Sequence, residues 1–481
     1  MKYFLSAFFL MFLFSGCTTL INLWRYKLPD IADVYRMPRH ELKKSTNPYV
    51  FPRKEVGNIP DPALWAVENI GYFPRKQPVV KRWDSPEDFL ERSNTTALIV
   101  IQNDTIRYEN YFNDFDQDMQ SIVFSVSKSF ASALAGIALE EGKFSSLDQP
   151  ISDFIPEFKQ GKKNEITINH LLQMTSGLDF YDYSTLYKLM ELYYSNDQTT
   201  MIEKVPMRYE PGTVFKYKSY STFLLGICIE KATGKPYYEY LQEKLWTPLG
   251  MEYNGYFTLD KERNQKAYGG IAACARDLAK FGTLYANKGK WRGEQILPEW
   301  WVERSSMRDT SEGSAWRYSN CFWLDTYPQE KAMTTKKDFF AGGYRGQAIY
   351  VNPELNIVIV RQGKSERGFR WGKSLSKLAM VWDAHQEIVS ESQLQFVEGN
   401  YQGKNGKSLS VKFENNKLSI IGFNDCDDEQ LKLTRISGAS FSASSGKVKA
   451  TLDYRNQNIL GMAIEIPGQE YFFAKNDSVV Q

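Results

Sequence analysis

Near Leu394 the hydrophobic pattern of this 481-residue chain changes period, and that change limits the fold more than any single motif does. Beyond it, SLSVKF and KLSII alternate apolar and polar residues on either side of Asn415-Asn416, and LKLTRI, KVKATLDY and MAIEI keep the period of two. Successive side chains of a strand face opposite ways, so residues 394–481 are expected to form a small antiparallel β-domain. Before Leu394 the pattern is mixed. Residues 97–101 form an apolar run that turns at Asn103-Asp104 into Thr105–Tyr111, and residues 347–360 read as two strands around Asn352-Pro353. Phe130, Leu134, Ile137 and Ala138 share one face of a helix that Gly142 closes. Further helices are expected over residues 223–232, stopped near Gly234, and 275–285, and ITINHLLQMTSGLDF also reads as helical. The chain is therefore α+β, and long enough for two or three domains.

Composition excludes several classes of function. With 59 basic and 57 acidic residues the net charge is +2, which implies no nucleic-acid partner. The three histidines are dispersed, and Cys228, Cys274, Cys321 and Cys426 form no C-x-x-C, so neither a metal site nor a cofactor is implied. The N-terminus is more telling. Lys2 precedes an apolar run over residues 4–14, too short to span a bilayer, that ends in Ser15-Gly16-Cys17. It resembles a bacterial lipoprotein signal over residues 1–17, with Phe14 where leucine is usual and Cys17 as the lipidated residue. Residues 18–85, rich in Pro, Arg and Lys, read as a tether and N-terminal arm. The expectation is a bacterial envelope protein held to a membrane by lipid.

Inside FSVSKSF, residues 124–130, Ser125 and Lys128 form a Ser-x-x-Lys. The spacing recurs at Ser374–Lys377 and Ser444–Lys447, and about two such pairs are expected by chance in a chain this long. Only the first opens an apolar, alanine-rich helix. There the hydroxyl sits at the positive end of the helix dipole, and a lysine three positions on can reach it. Burial would free that lysine of its proton and make it a base. The other reading is a helix-capping serine and a solvated lysine. About ninety residues on, Tyr217-Lys218-Ser219 precedes a second helix, and a tyrosine hydroxyl there can relay protons.

The segments SVSKSFASALAGIALEEGK, HLLQMTSGLDF, EPGTVFKYKS, WTPLGM, YGGIAACARDLAKFG and FAGGYRGQAIYVNPELNIVIV, in this order, resemble the serine hydrolases related to penicillin-binding proteins and class C β-lactamases. The resemblance covers roughly residues 86–385. It implies an antiparallel sheet flanked by helices, with an all-helical subdomain and the site between them, in a domain over residues 86–388. It also implies Ser125 as the acylated nucleophile, Lys128 as its base, Tyr217 as the proton relay and Ser219 at the third position of a Tyr-x-Asn/Ser motif. Where the family usually has Lys/His-x-Gly, this chain has Ala341-Gly342-Gly343, or Phe340-Ala341-Gly342 in the other register. No cation stands first, although glycines let a backbone N–H near Gly343 or Tyr344 complete an oxyanion hole. Arg345 compensates only if its side chain turns inward. Serine at 219 and the run Gly342-Gly343-Tyr344-Arg345-Gly346-Gln347 look most like the branch with esterases and 6-aminohexanoate-oligomer hydrolases, in which a tyrosine after T-S-G-L can assist; Tyr181 and Tyr183 are the candidates here.

The expected function is cleavage of small carboxylic esters or amides through an acyl-enzyme. The rival activity is that of a β-lactamase or D-alanyl peptidase on cell-wall peptides, and a non-catalytic binding or sensor protein on the same scaffold is the rival from another class. A Ser-His-Asp hydrolase finds no G-x-S-x-G in this chain. Gly-Lys-Ser at Gly363 and Gly372 lacks the upstream glycine of a phosphate loop and reads as ordinary loop. The C-terminal β-domain reads equally as a ligand reader or a lid.

Overall fold

The computed structural model describes residues 28–54, 59–68, 82–182, 186–310, 312–326 and 338–386. In the C-terminal part it describes 397–403, 408–414, 417–422, 430–437, 440–442, 449–455, 458–466 and 469–475. The signal segment with Cys17, the Asn415-Asn416 turn and the Ser444–Lys447 pair lie outside these residues, as does Tyr183. Contacts divide the chain into two units, one of residues 1–55 and 66–376, the other of residues 56–65 and 377–481.

The first unit is built on an antiparallel sheet. Its described strands run, across the sheet, Thr105–Tyr111, Thr95–Gln102, Ile357–Gly363, Gln347–Asn352, Phe339–Gly343, Phe322–Trp323 and Tyr318–Ser319. The expected hairpin is there, with Asn103 and Asp104 both in the left-handed region that a two-residue turn demands. Thr95–Gln102 and Ile357–Gly363 are buried along their whole length, so both faces of the sheet are covered. The helix Ala275–Ala286 lies on the sheet so closely that a Cβ on Gly282 would stand 2.5 Å from Val358. The second layer is the helix Ser127–Glu140, buried from Ser127 to Ala138 and joined to the first by stacked Phe130 and Phe281 rings, 3.7 Å apart. Between Ile122 and Gly255 the described chain is helical or irregular, with only isolated bridges, which makes the helical subdomain.

A smaller sheet of four strands, Arg39–Leu42, Gly255–Thr258, Ile271–Ala273 and Ser121–Ile122, carries the chain into the Ser125 turn. Residues 39–42 thus do more than the tether expected of residues 18–85. They pair in register with Gly255–Thr258, which an alternation of only four residues could not announce. Three other expectations are corrected. Of ITINHLLQMTSGLDF only Ile168–Leu172 is α-helix, because Met174 and Gly177 take positive φ and turn the chain toward a bridge from Leu178 to Met207. Ser125 does not open the α-helix but sits in the 3-10 turn Phe124–Val126 before it. Gly372-Lys373-Ser374 lies in the helix Trp371–Gln386 and is not a loop, whereas Gly363 ends a strand and Lys364-Ser365 is loop as expected.

The second unit contains a closed antiparallel barrel of eight described strands between Gly399 and Lys475, each paired with the next and the last with the first, through Tyr401 and Lys475. Alternate residues, among them Leu409, Val411, Leu418 and Ile420, fill its interior with Tyr401, Phe441, Met462 and Phe473. That is the space a barrel of this size has for side chains.

The Phe130–Phe281 stack joins the sheet's helix to the buried helix. Phe281→Ala should cost about 3–5 kcal/mol, read as a fall in the urea midpoint of the first unit at unchanged slope. An unchanged midpoint would mean that the two layers are held elsewhere.

Candidate active site

Two sheets meet at Ser125. Ser121–Ile122 is the last strand of the small sheet, and the Val123 N–H continues its pairing by donating to the Ile271 carbonyl at 2.9 Å. The chain then turns through Phe124 at φ +48°, a rare conformation for an aromatic residue, and delivers the half-buried Ser125. Against this turn lies the end of Phe339–Gly343. A Cβ on Gly343 would stand 2.3 Å from the Val123 carbonyl and 3.4 Å from the Ser125 nitrogen. Only glycine fits there, which is why the third motif is legible as glycines. The N–H groups at the start of a helix have no intrahelical partner, so the Ser125 N–H and a backbone N–H at Gly343 or Tyr344 can converge on an oxyanion.

Lys128 lies wholly buried behind Ser125. Its Nζ donates to Ser125 Oγ at 2.9 Å, to Ser219 Oγ at 3.1 Å and to the Tyr268 carbonyl at 2.9 Å. Burial pulls its pKa down to about 8, although the Asp182 carboxylate pulls the other way. Tyr217 precedes the helix Ser219–Thr233, with its ring 5.1 Å from Lys128 Nζ and stacked on Trp323 at 5.3 Å. Lys218, between them in sequence, points elsewhere. It donates to the Leu178 carbonyl at 3.0 Å and thereby ties down the loop after T-S-G-L, its own pKa lowered by burial to about 7.

The structure thus brings Ser125, Lys128, Tyr217, Ser219 and Gly343 together, with Tyr344 on the rim, 42% exposed and edge-on to the Phe124 ring. It does not bring in Arg345. That guanidinium donates to the Pro29 carbonyl at 2.9 Å and the Lys364 carbonyl at 2.7 Å, and pairs with Asp30 at 3.2 Å, so the N-terminal arm holds it. Tyr181 is half-buried beneath the Lys216 ammonium. The neighbouring Asp182 is the residue that the sequence did not single out. It is buried, accepts from the Ser219 N–H at 2.8 Å and from Ser219 Oγ at 2.7 Å, and caps a helix that begins 37 positions later. The other serines are placed otherwise: Ser374 is buried and accepts from the Val67 N–H. His170 lies in a capping box with Thr167. Among the described residues no group of three or more His, Cys, Asp and Glu could hold a metal, and no helix is long and apolar enough to cross a membrane.

A family profile described as Beta-lactamase matches residues 87–366, more than half the chain. The chain belongs to the beta-lactamase family. It is 26% identical over 315 residues to the 6-aminohexanoate-dimer hydrolase of Paenarthrobacter ureafaciens, covering 59% of this chain and 78% of that one. With the esterase EstB of Burkholderia gladioli it shares 29% identity over 146 residues, 27% of this chain and 37% of that enzyme. Among solved structures, a Bacillus anthracis protein assigned as a 6-aminohexanoate-dimer hydrolase superposes with a TM-score of 0.62 over 73% of this chain and 92% of its own, at 24% identity, a likeness of fold. The protein is accordingly a serine hydrolase of the beta-lactamase family.

If the buried amine of Lys128 takes the Ser125 proton, acylation follows its neutral fraction, which grows as pH rises toward about 8. The rate of labelling by a fluorophosphonate should climb about tenfold per unit below that pH and level off above it. A flat profile from about pH 6 to 9 would remove Lys128 from that role.

Proposed function

We propose that this serine hydrolase is an envelope-anchored esterase or amidase acting through an acyl-enzyme on Ser125. What carries the reading is the 2.9 Å contact from the buried Lys128 amine to Ser125 Oγ, beside a strand end that bears glycine in place of a cation. Ser125 Oγ attacks the substrate carbonyl and its proton passes to Lys128. The negative charge collects on the carbonyl oxygen between the Ser125 N–H and the Gly343-Tyr344 backbone. The C–O or C–N bond then breaks, Lys128 returns the proton to the leaving group through the Tyr217 hydroxyl, and water hydrolyses the acyl-enzyme by the same steps in reverse order.

Substrate choice follows from charge. Penicillins and D-alanyl peptides carry a carboxylate beside the scissile bond. Ala341-Gly342-Gly343 offers it no cation, and Arg345 is already held by Asp30 and two carbonyls. A missing charged hydrogen bond costs about 1.5–3 kcal/mol, or about ten- to a hundredfold in binding. The names of the relatives support small esters, through the esterase, and amides whose carboxylate stands a whole hexanoate chain away from the scissile bond, through the 6-aminohexanoate-dimer hydrolase.

With Ser125→Ala as blank, p-nitrophenyl butyrate should be cleaved with a kcat/KM at least about tenfold above that for nitrocefin. Peptide mapping after fluorophosphonate labelling should place the adduct on Ser125 alone. Nitrocefin turnover equal to or above the ester's would make the protein a true β-lactamase, and an adduct on Ser374 or Ser444 would move the nucleophile.

The envelope anchor rests on the segment ending in Cys17. Cys17→Ala should release the full-length protein from the membrane fraction and leave ester hydrolysis intact. A variant that remains in the membrane fraction to the same extent would rule out lipid on Cys17 as the tether.

A further inference from the structure

Lys128 has three polar neighbours, and they are not equivalent. As an ammonium it has three protons and donates one each to Ser125 Oγ, Ser219 Oγ and the Tyr268 carbonyl. As an amine it keeps two protons and gains a lone pair, so one neighbour must become the donor. The Tyr268 carbonyl carries no proton. The Ser219 hydroxyl has one, but it lies 2.7 Å from Asp182 Oδ2, while the Ser219 N–H holds Oδ1 of the same carboxylate at 2.8 Å. A buried carboxylate is acceptor-only when ionised and gives up a hydrogen bond at high cost. Ser125 alone is left to donate.

We infer that Asp182 is a positioning residue, which fixes the Ser219 hydroxyl as an acceptor toward Lys128 and so aims the lysine lone pair at the Ser125 hydroxyl. The inference rests on the reading of Lys128 as the base. The same carboxylate, one hydroxyl away, offsets the positive charge that Lys128 acquires when it takes the Ser125 proton. Other groups facing Lys128 from the packed elements carry no compensating charge: the Tyr217 and Tyr268 rings, the Tyr268 carbonyl, and the Cys321 thiol, which burial pushes up to about 12. Lys218, fastened to the Leu178 carbonyl, is a second cation that interacts with the Asp182 carboxylate. Asp182 is thus the anion that opposes the loss of the Lys128 proton on burial.

Asp182→Asn tests this, because the amide keeps the shape but puts a donor on one side. The Ser219 hydroxyl can then accept from the amide and donate to Lys128, turning the lone pair off Ser125. Acylation by p-nitrophenyl butyrate should fall about tenfold or more. The acidic limb of kcat/KM against pH should move to lower pH by about half a unit or more, since the anion that raised the lysine pKa is gone. Ser219→Ala, which removes only the hydroxyl, should lose a similar factor. The double variant should be no worse than about twofold below the slower single, because the two act in one chain.

Thermal unfolding of each variant shows whether it is folded, and should Asp182→Asn not fold, Ser219→Ala decides alone. Ser219→Ala within about twofold of the parent rate overturns the inference, as does an Asp182→Asn loss with an unmoved pH limb. Losses that multiply in the double variant overturn it too. Lys128→Ala run beside them separates the two readings: full labelling there would dismiss the lysine as base, whereas its loss with independent Asp182 and Ser219 effects would dismiss only the relay.

Discussion

A lysine side chain enclosed on every side is the constraint on which the rest of this site depends. Burying an ammonium is expensive unless each of its protons finds an acceptor, and Lys128 finds three within about 3 Å. Those acceptors come from three separate segments: the turn before its own helix, the start of Ser219–Thr233, and the chain entering Ile271–Ala273. Each must therefore be in place before the lysine can be buried. The burial that makes the lysine a poor cation is also what its proposed role as a base near neutrality requires, so structural cost and chemical benefit would share one origin.

Ser125, the proposed nucleophile, is held by a second constraint, the lack of room between Val123 and Gly343. Phe124 accepts a backbone conformation unfavourable to an aromatic residue because the turn is gripped from both sides. Its ring is not idle, packing near Tyr193 and edge-on to Tyr344. Arg361 supports the turn after Gly343 from beneath. It is fully buried, gives protons to the Arg345 and Gly346 carbonyls, and lies flat on Trp371 at 3.6 Å. The strand end and the serine turn are thus positioned by rigid neighbours, as an oxyanion site requires.

What the sequence revealed and what it hid follow from the range of each interaction. Ser125 and Lys128 are three positions apart, so their contact is almost local and their spacing shows it. The hairpin at Asn103-Asp104 and the helix stopped at Gly234 are local as well, and both are where the pattern puts them. Tyr217-Lys218-Ser219 is legible as a segment before a second helix whose tyrosine can relay protons, but only the resemblance ties it to Ser125, about ninety residues away. Asp182 stayed hidden for the converse reason. A helix cap is usually sought at the residue just before the helix, which here is Lys218, and this cap comes from 37 residues upstream, as one of 57 acidic residues. Its neighbours Tyr181 and Tyr183 carry the more conspicuous side chains in the sequence. The helix read into ITINHLLQMTSGLDF failed because Met174 and Gly177 obey a tertiary demand for a turn, one that apolar periodicity cannot register.

Arg345 shows the same limit from the side of charge. In the sequence it is a cation two residues beyond Gly343 and the natural substitute for the missing Lys or His. In the structure its partners are Pro29 and Asp30, more than three hundred residues away, in the stretch that composition marked as a tether. The arm therefore belongs to the electrostatics of the site. Its Asp30 pairs with the guanidinium that lies 5.4 Å from the Tyr344 ring, while Asp182 balances Lys128 through Ser219, and Lys218 is turned to the Leu178 carbonyl. Among the described residues, Arg345, Lys128 and Lys218 thus each have a partner of their own. In the proposed acylation the oxyanion is then the new charge that the backbone N–H groups at Ser125 and Gly343-Tyr344 would have to meet.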